Sequence, residues 1–138
     1  MALSPTLFPV FTYRDAPAAL DWLARAFGFA QHVVYPNEDG GIGHAELKLD
    51  DGFVLMASRA KTADPANPFP STPISLYAYV EDVDGHFAKA KAAGAEVVKP
   101  PHDTPYGSRE YWVRDLEGNL WSFGSYHPVV GVPAGYAG

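Results

Sequence analysis

The sequence predicts an α+β fold made of two βαβββ modules, and three observations carry that prediction. The chain repeats itself, because Gly28 and Gly94 stand 66 positions apart and Gly52 and Gly118 stand 66 apart as well. Each half then reads strand, acidic cap, amphipathic helix, glycine, strand, loop and hairpin, which is the mark of an internal duplication. Proline at 65, 68, 70 and 73 separates the halves with a stretch that suits neither helix nor central strand. Module one spans about 6–58, the connector 59–73, module two about 74–127 and an irregular tail 128–138, all in a single domain. Helices packed on one face of a curved, mostly antiparallel sheet leave the other face as a concave cleft, the default ligand site.

The elements follow in order. Leu7 to Tyr13 is aromatic and β-branched, which suits a buried strand. Asp15 caps a helix and Pro17 is tolerated in its first turn. Leu20, Leu23, Ala24 and Phe27 form one apolar stripe, and Gly28 stops the helix. Phe29 to Tyr35 is the second strand. Ala45 to Leu49 and Phe53 to Ala57 flank Asp50-Asp51-Gly52, a hairpin signature. In module two, Ile74 to Val80 is a strand and Asp82 a cap. Val83, Phe87 and Ala90 form the helix stripe, ended by Gly94. Ala95 to Val98 is a strand, and Glu110 to Val113 and Asn119 to Tyr126 flank the Asp115-Leu116-Glu117-Gly118 turn.

Composition narrows the partners. The chain has 138 residues, 47 % hydrophobic and 19 % charged, which reads as globular. A net charge of −6 without a basic cluster disfavours nucleic acid and anionic membrane. The chain holds no cysteine, which excludes disulfides, thiolate metal sites and cysteine nucleophiles. Met1 to Tyr13 lacks the pattern of a signal peptide and no segment has the length of a membrane span, so a cytoplasmic setting is expected.

The two-module layout, closed by Asp-Leu-Glu-Gly-Asn-Leu-Trp-Ser-Phe at 115–123, resembles the vicinal-oxygen-chelate superfamily of glyoxalases, bleomycin-resistance proteins and extradiol dioxygenases. The resemblance covers Leu7 to Tyr126. Leu116 stands where family members often carry proline. His-Ala-Glu-Leu at 44–47 and Tyr-Gly-Ser-Arg at 106–109 are closer to the glyoxalase-like branch than to true glyoxalases. The resemblance implies a divalent ion held by His, Glu or Gln from the first and last strand of each module. Carried over one by one, those positions fall on Phe8 or Pro9, Leu55 or Met56, Ser75, and Ser122. None supplies a competent donor to a catalytic ion, so no metal and no other cofactor is expected. The same reading argues against lactoylglutathione lyase and extradiol dioxygenase chemistry, which need the ion as Lewis acid.

Several residues remain candidates for a site. His44 falls on Glu110 under the 66-residue shift, and the two are either an acid–base pair or ordinary cleft-edge residues. Glu46 shares the strand face of His44, and it either helps hold a metal or a substrate or is simply the solvated side of the strand. His86 should be exposed on its helix, and His102 and His127 lie in loops beside prolines. Tyr77 and Tyr79 alternate with Leu76, Ala78 and Val80, so the tyrosines share the face of Ser75, with Trp112 joining from the next strand. That face is either an aromatic-walled ligand surface with hydroxyl tips or a plain aromatic core. Trp121 and Phe123 should pack against a helix. Arg109 either clamps a carboxylate or phosphate or forms a surface ion pair. Phe8, Ser75, Tyr77, Tyr79, Tyr106, Arg109, Trp112 and Ser122 make up the expected ligand-binding set. Gly40-Gly41-Ile42-Gly43 leads into a strand and is no dinucleotide fingerprint.

The expected function is metal-independent binding of a small organic compound, aromatic ones included, by a homodimer similar to the drug-sequestering resistance members. The alternative is a glyoxalase-like lyase or isomerase that uses His44 and Glu110, with an off-pattern metal or none. A third reading is a module that acts chiefly through its dimer interface.

Overall fold

The computed structural model describes residues 7–62, 65–66, 68 and 74–128. The chain divides into two compact units, Met1–Ile74 and Ser75–Gly138. Most of the proline-rich connector and the tail from 129 onward lie outside the described residues.

The first unit runs β1 (Val10–Tyr13), α1 (Ala16–Phe27), β2 (Ala30–Pro36), β3 (Ile42–Leu49) and β4 (Gly52–Ser58). Its sheet has the order β1-β4-β3-β2, with β1 parallel to β4 and the other pairs antiparallel. The Asp15 carboxylate accepts the Ala18 N–H at 3.1 Å and so satisfies one orphan donor at the start of α1. At the other end Gly28 adopts φ 84°, and Phe29 N–H reaches the Leu23 carbonyl at 3.3 Å. The buried side of α1 is wider than the predicted stripe and takes in Ala16, Ala19, Trp22 and Ala26 beside Leu20, Leu23 and Phe27. Trp22 meets Phe27 edge-on at 5.1 Å. The β3–β4 hairpin pairs Leu49 with Gly52, so its loop is Asp50-Asp51 and Gly52 already belongs to the strand. The left-handed residue there is Asp50, at φ 50°, a conformation that aspartate tolerates better than most side chains.

The second unit repeats the topology with β5 (Ser75–Tyr79), α2 (Val83–Ala92), β6 (Glu96–Asp103), β7 (Arg109–Arg114) and β8 (Leu120–Gly124), in sheet order β5-β8-β7-β6. Asp82 caps α2 through the Gly85 N–H at 3.0 Å. A Cβ at residue 85 would crowd the Asp82 carboxylate, so the glycine gives the capping side chain its room. Strand β6 is longer than predicted and runs through Pro100 and Pro101. It is an edge strand, where a missing N–H costs no ladder bond. His102, expected in a loop, therefore lies on a strand.

Each sheet buries the face that its own helix covers. In the second unit Tyr111, Val113, Trp121 and Phe123 are fully buried on that side, with Val83 and Ala90 of α2. The rings of Tyr111 and Phe123 lie 5.5 Å apart, and Phe87 meets Tyr111 at 5.3 Å. Trp121 and Phe123 thus pack as the sequence suggests. His86 does not sit exposed as expected. It is half-buried, its Nδ1 lies 2.6 Å from the Tyr111 hydroxyl and its ring lies 4.3 Å from Phe123. The turn before β8 is tied by Asp115, a buried carboxylate that accepts from Glu117 N, Asn119 N, Asn119 Nδ2 and Trp121 Nε1 at 3.0–3.2 Å. A buried carboxylate so fully hydrogen-bonded is stable where it stands. That accounts for Asp, Asn and Trp at 115, 119 and 121.

Candidate functional site

Residues that pair across strands share a sheet face, so the register of the second sheet defines a surface away from α2. Tyr77 pairs with Ser122 and Ser122 with Trp112. Tyr79 pairs with Gly124 and Gly124 with Glu110. Ser75 pairs with Leu120 and Leu120 with Arg114. Lys99 and His102 extend the rows onto β6. Ser75, Tyr77, Tyr79, Trp112 and Ser122, five of the eight expected ligand-binding residues, therefore lie on one face. Trp112 is 38 % exposed. The Lys99 ammonium lies 4.9 Å from its ring centre, and His102 meets the ring edge-on at 5.6 Å. Tyr79 stacks on His127 at 4.3 Å.

Glu110 belongs to this face and is only 6 % exposed. The Tyr106 hydroxyl donates to its Oε2 at 2.6 Å. That bond, followed by desolvation, pushes the Tyr106 hydroxyl up to about 12. Tyr77 donates to the Tyr126 carbonyl at 2.5 Å, and burial is the main reason its pKa is raised. Gly124 makes the arrangement possible. A Cβ there would stand 2.7 Å from Glu110 Cγ and 2.8 Å from the Tyr77 ring, so both side chains lie directly against the glycine. Ser108, 3 % exposed, accepts the Tyr126 N–H at 3.0 Å and fixes the strand end beside them.

Arg109, the remaining member of the set in this unit, points to the opposite side. Its guanidinium holds Asp84 of α2 through Nε at 3.0 Å and Nη2 at 3.0 Å, and Asp103 through Nη1 at 3.2 Å. Of the two alternatives, the surface ion pair is the one the structure displays.

In the first unit the corresponding face carries Phe8, Phe53, Leu55, His44 and Glu46. Phe8 precedes β1 and lies 6.2 Å from the ring of Phe53. Glu46 is not merely solvated, because one oxygen lies 2.9 Å from His32 Nδ1 and the other 3.0 Å from His44 Nε2. These two bonds, His44 before His32, hold its carboxyl below the usual value. His44 also stacks on Tyr35 at 6.1 Å. His44 and Glu110 thus each have a partner of their own within their own unit. His32 lies at a register shift in β2, where the irregular pairing turns its ring toward Glu46.

The positions where the resemblance implies metal ligands offer a phenyl ring, aliphatic or thioether chains and two hydroxyls. Met56 is 1 % exposed on the helix side. Such side chains do not fit a divalent ion. Among the described residues no group of three or more His, Cys, Asp or Glu is placed to hold a metal. No helix among them is long and apolar enough to cross a membrane.

The missed residues are His32, Ser108, Gly124 and Tyr126. Two-residue alternation from Trp112 puts Glu110 on the tyrosine face from sequence alone. A β-bulge, which places His32, leaves no such pattern.

Comparisons with known proteins agree with this architecture. An uncharacterised protein of Mycobacterium bovis is 33 % identical over 129 residues, covering 88 % of this chain and 84 % of its own. The crystal structure of TioX from Micromonospora sp. ML1 matches at TM-score 0.73 and 38 % identity, covering 88 % of this chain and 99 % of TioX. A glyoxalase/bleomycin resistance protein/dioxygenase family enzyme from Burkholderia phytofirmans shares the fold at TM-score 0.61 and 18 % identity, covering 85 % of this chain and 94 % of its own. The family model of the Glyoxalase/Bleomycin resistance protein/Dioxygenase superfamily matches residues 7–123. The chain belongs to that superfamily.

Proposed function

We propose that this protein binds a small organic compound without a metal ion, as a cytoplasmic homodimer of the resistance or sequestration kind. The observation that carries the reading is the row Tyr77, Ser122 and Trp112 across the second sheet, with an indole 38 % exposed and hydroxyls at its margin. A flat, partly apolar ligand gains area against such a surface and hydrogen bonds at its edge. The donor-poor family metal positions support the metal-free part. The superfamily model, which matches residues 7–123 and whose description includes bleomycin resistance proteins, supports the choice of a resistance-type binder.

The test is calorimetric titration of 2-naphthalenemethanol into protein dialysed against EDTA, with metal content measured before and after. Saturable binding unchanged by chelation is expected. A stoichiometric ion whose removal abolishes binding overturns the metal-free reading. Light scattering tests the dimer.

An enzymatic reading draws on one specific observation, the two imidazoles oriented by Glu46 in the first unit. A carboxylate-oriented imidazole is a general base in many sites. Mass spectrometry of the ligand after prolonged incubation separates the readings, because a binder returns it unchanged.

A further inference from the structure

We propose that Glu110 anchors a protonated amine of the ligand, so the compounds this face selects are organic cations with a flat body. The inference rests on the binding reading above and adds the charge of the ligand to it.

Glutamate is seldom buried without a cation, since removing a carboxylate from water is costly unless a charge or several hydrogen bonds replace the solvent. Glu110 is 6 % exposed, and among the described residues only the neutral Tyr106 hydroxyl donates to its carboxylate. The nearby cations are engaged elsewhere. Lys99 lies over the Trp112 ring, Arg114 holds the Gly118 carbonyl and Glu96, and Arg109 faces α2. His102, opposite Glu110 in the register, turns its Nδ1 to the Pro100 carbonyl at 2.9 Å. The contrast with Asp115 in the same unit is direct. That buried carboxylate takes four donors from its own turn, whereas Glu110 takes one.

The surroundings suit an ammonium group. Tyr77 lies with Glu110 against Gly124, and Tyr106 and Tyr126 meet edge-on at 6.0 Å beside them. Tyrosine faces attract cations, and the attraction grows as water is excluded. The Tyr77 and Tyr106 hydroxyls donate to the Tyr126 carbonyl and to Glu110, so their oxygens turn partial negative charge toward the same small region as the carboxylate. Beyond the carboxylate, Trp112 lies two residues along the same strand and face, and Ser122 is its partner on β8.

The test compares two probes of one shape, 2-naphthylmethylamine, protonated at pH 7, and neutral 2-naphthalenemethanol. On the native protein the amine is expected to bind at least tenfold more tightly. Glu110→Gln keeps an acceptor for Tyr106 and removes the charge, and should bring the ratio of the two affinities below two. Should that variant fail to fold, the ¹³C resonance of the Glu110 carboxyl carbon in native protein gives the same answer, moving with the amine and not with the alcohol. Equal affinities on native protein, or an unmoved carboxyl resonance, overturn the proposal while the binding reading stands. A ratio that survives Glu110→Gln overturns it by placing the charge recognition elsewhere. Binding of neither probe overturns the binding reading and this proposal with it.

Discussion

On the first sheet, the face away from the helix carries Glu46 between His32 and His44, with all three side chains reaching water. On the second, the equivalent face carries Glu110 at 6 % exposure among tyrosines. The two units share strand order, parallel and antiparallel pairing and an acidic helix cap, and a left-handed glycine follows each helix, Gly28 as the cap of α1 and Gly94 one residue beyond the Ala93 cap of α2. Their helix-covered faces are also alike, both filled with buried aromatic and aliphatic side chains. Packing dictates that side of each sheet, and duplication preserves it. The side away from the helix is where the halves differ. One carries an exposed titratable cluster and the other an aromatic surface around a hidden charge. Function in such a fold follows from what stands on the face away from the helix, not from the topology.

Substitutions on the two sides of the second sheet should separate these roles. Phe123→Ala removes a fully buried ring from the helix side and is expected to cost about 3–5 kcal/mol in urea unfolding. Trp112→Ala, one strand away on the other side, should cost less than about 1 kcal/mol of stability. Its effect should appear in ligand affinity, weakened roughly tenfold as a stacking surface is lost. A large stability loss at Trp112 with unchanged binding would mean that this face is core and not a site.

The two carboxylates should also respond differently to pH. Tyr106 is expected to ionise near 12 in ultraviolet titration, and Glu110→Gln should return it toward 10.0. Its folded value lies above the ordinary one, so the stability from this contact is whole below pH 10.0 and is lost as pH rises through about 12. The Glu46 cluster should show the smaller effect, with the opposite sign. Its carboxyl is lowered by folding from 4.5, so the stability it gives is present above pH 4.5 and fades as pH falls through the folded value. Comparing unfolding midpoints of native protein and Glu46→Gln across that range checks the direction, and a difference that grows on acidification would contradict it.

Much of this was legible in the chain. The 66-residue repeat, the caps at Asp15 and Asp82 and the Gly28 stop follow from local rules, and all appear in the structure. Strict alternation in β5 and β8 placed Tyr77 and Ser122 on one face and Trp121 and Phe123 on the other. What was hidden depends on contacts between distant residues or on irregular backbone. The β2 bulge turns His32 onto Glu46, which no two-residue pattern reveals. Strand β6 extends through two prolines because it is an edge, a tertiary fact. Arg109 turned to Asp84 because α2 lies on its side of the sheet, and His86 turned inward to a hydroxyl on β7. The value of Gly124 comes from the two side chains lying over it, which the sequence alone does not assemble.

The most direct test of a metal-free binding face on the second sheet is an amide and indole NMR titration of EDTA-dialysed protein with 2-naphthalenemethanol. Saturable shifts centred on Tyr77, Trp112 and Ser122, including the Trp112 indole N–H, are the expected result. Shifts centred instead on His32, His44 and Glu46, or shifts that appear only after a divalent ion is added, would contradict it.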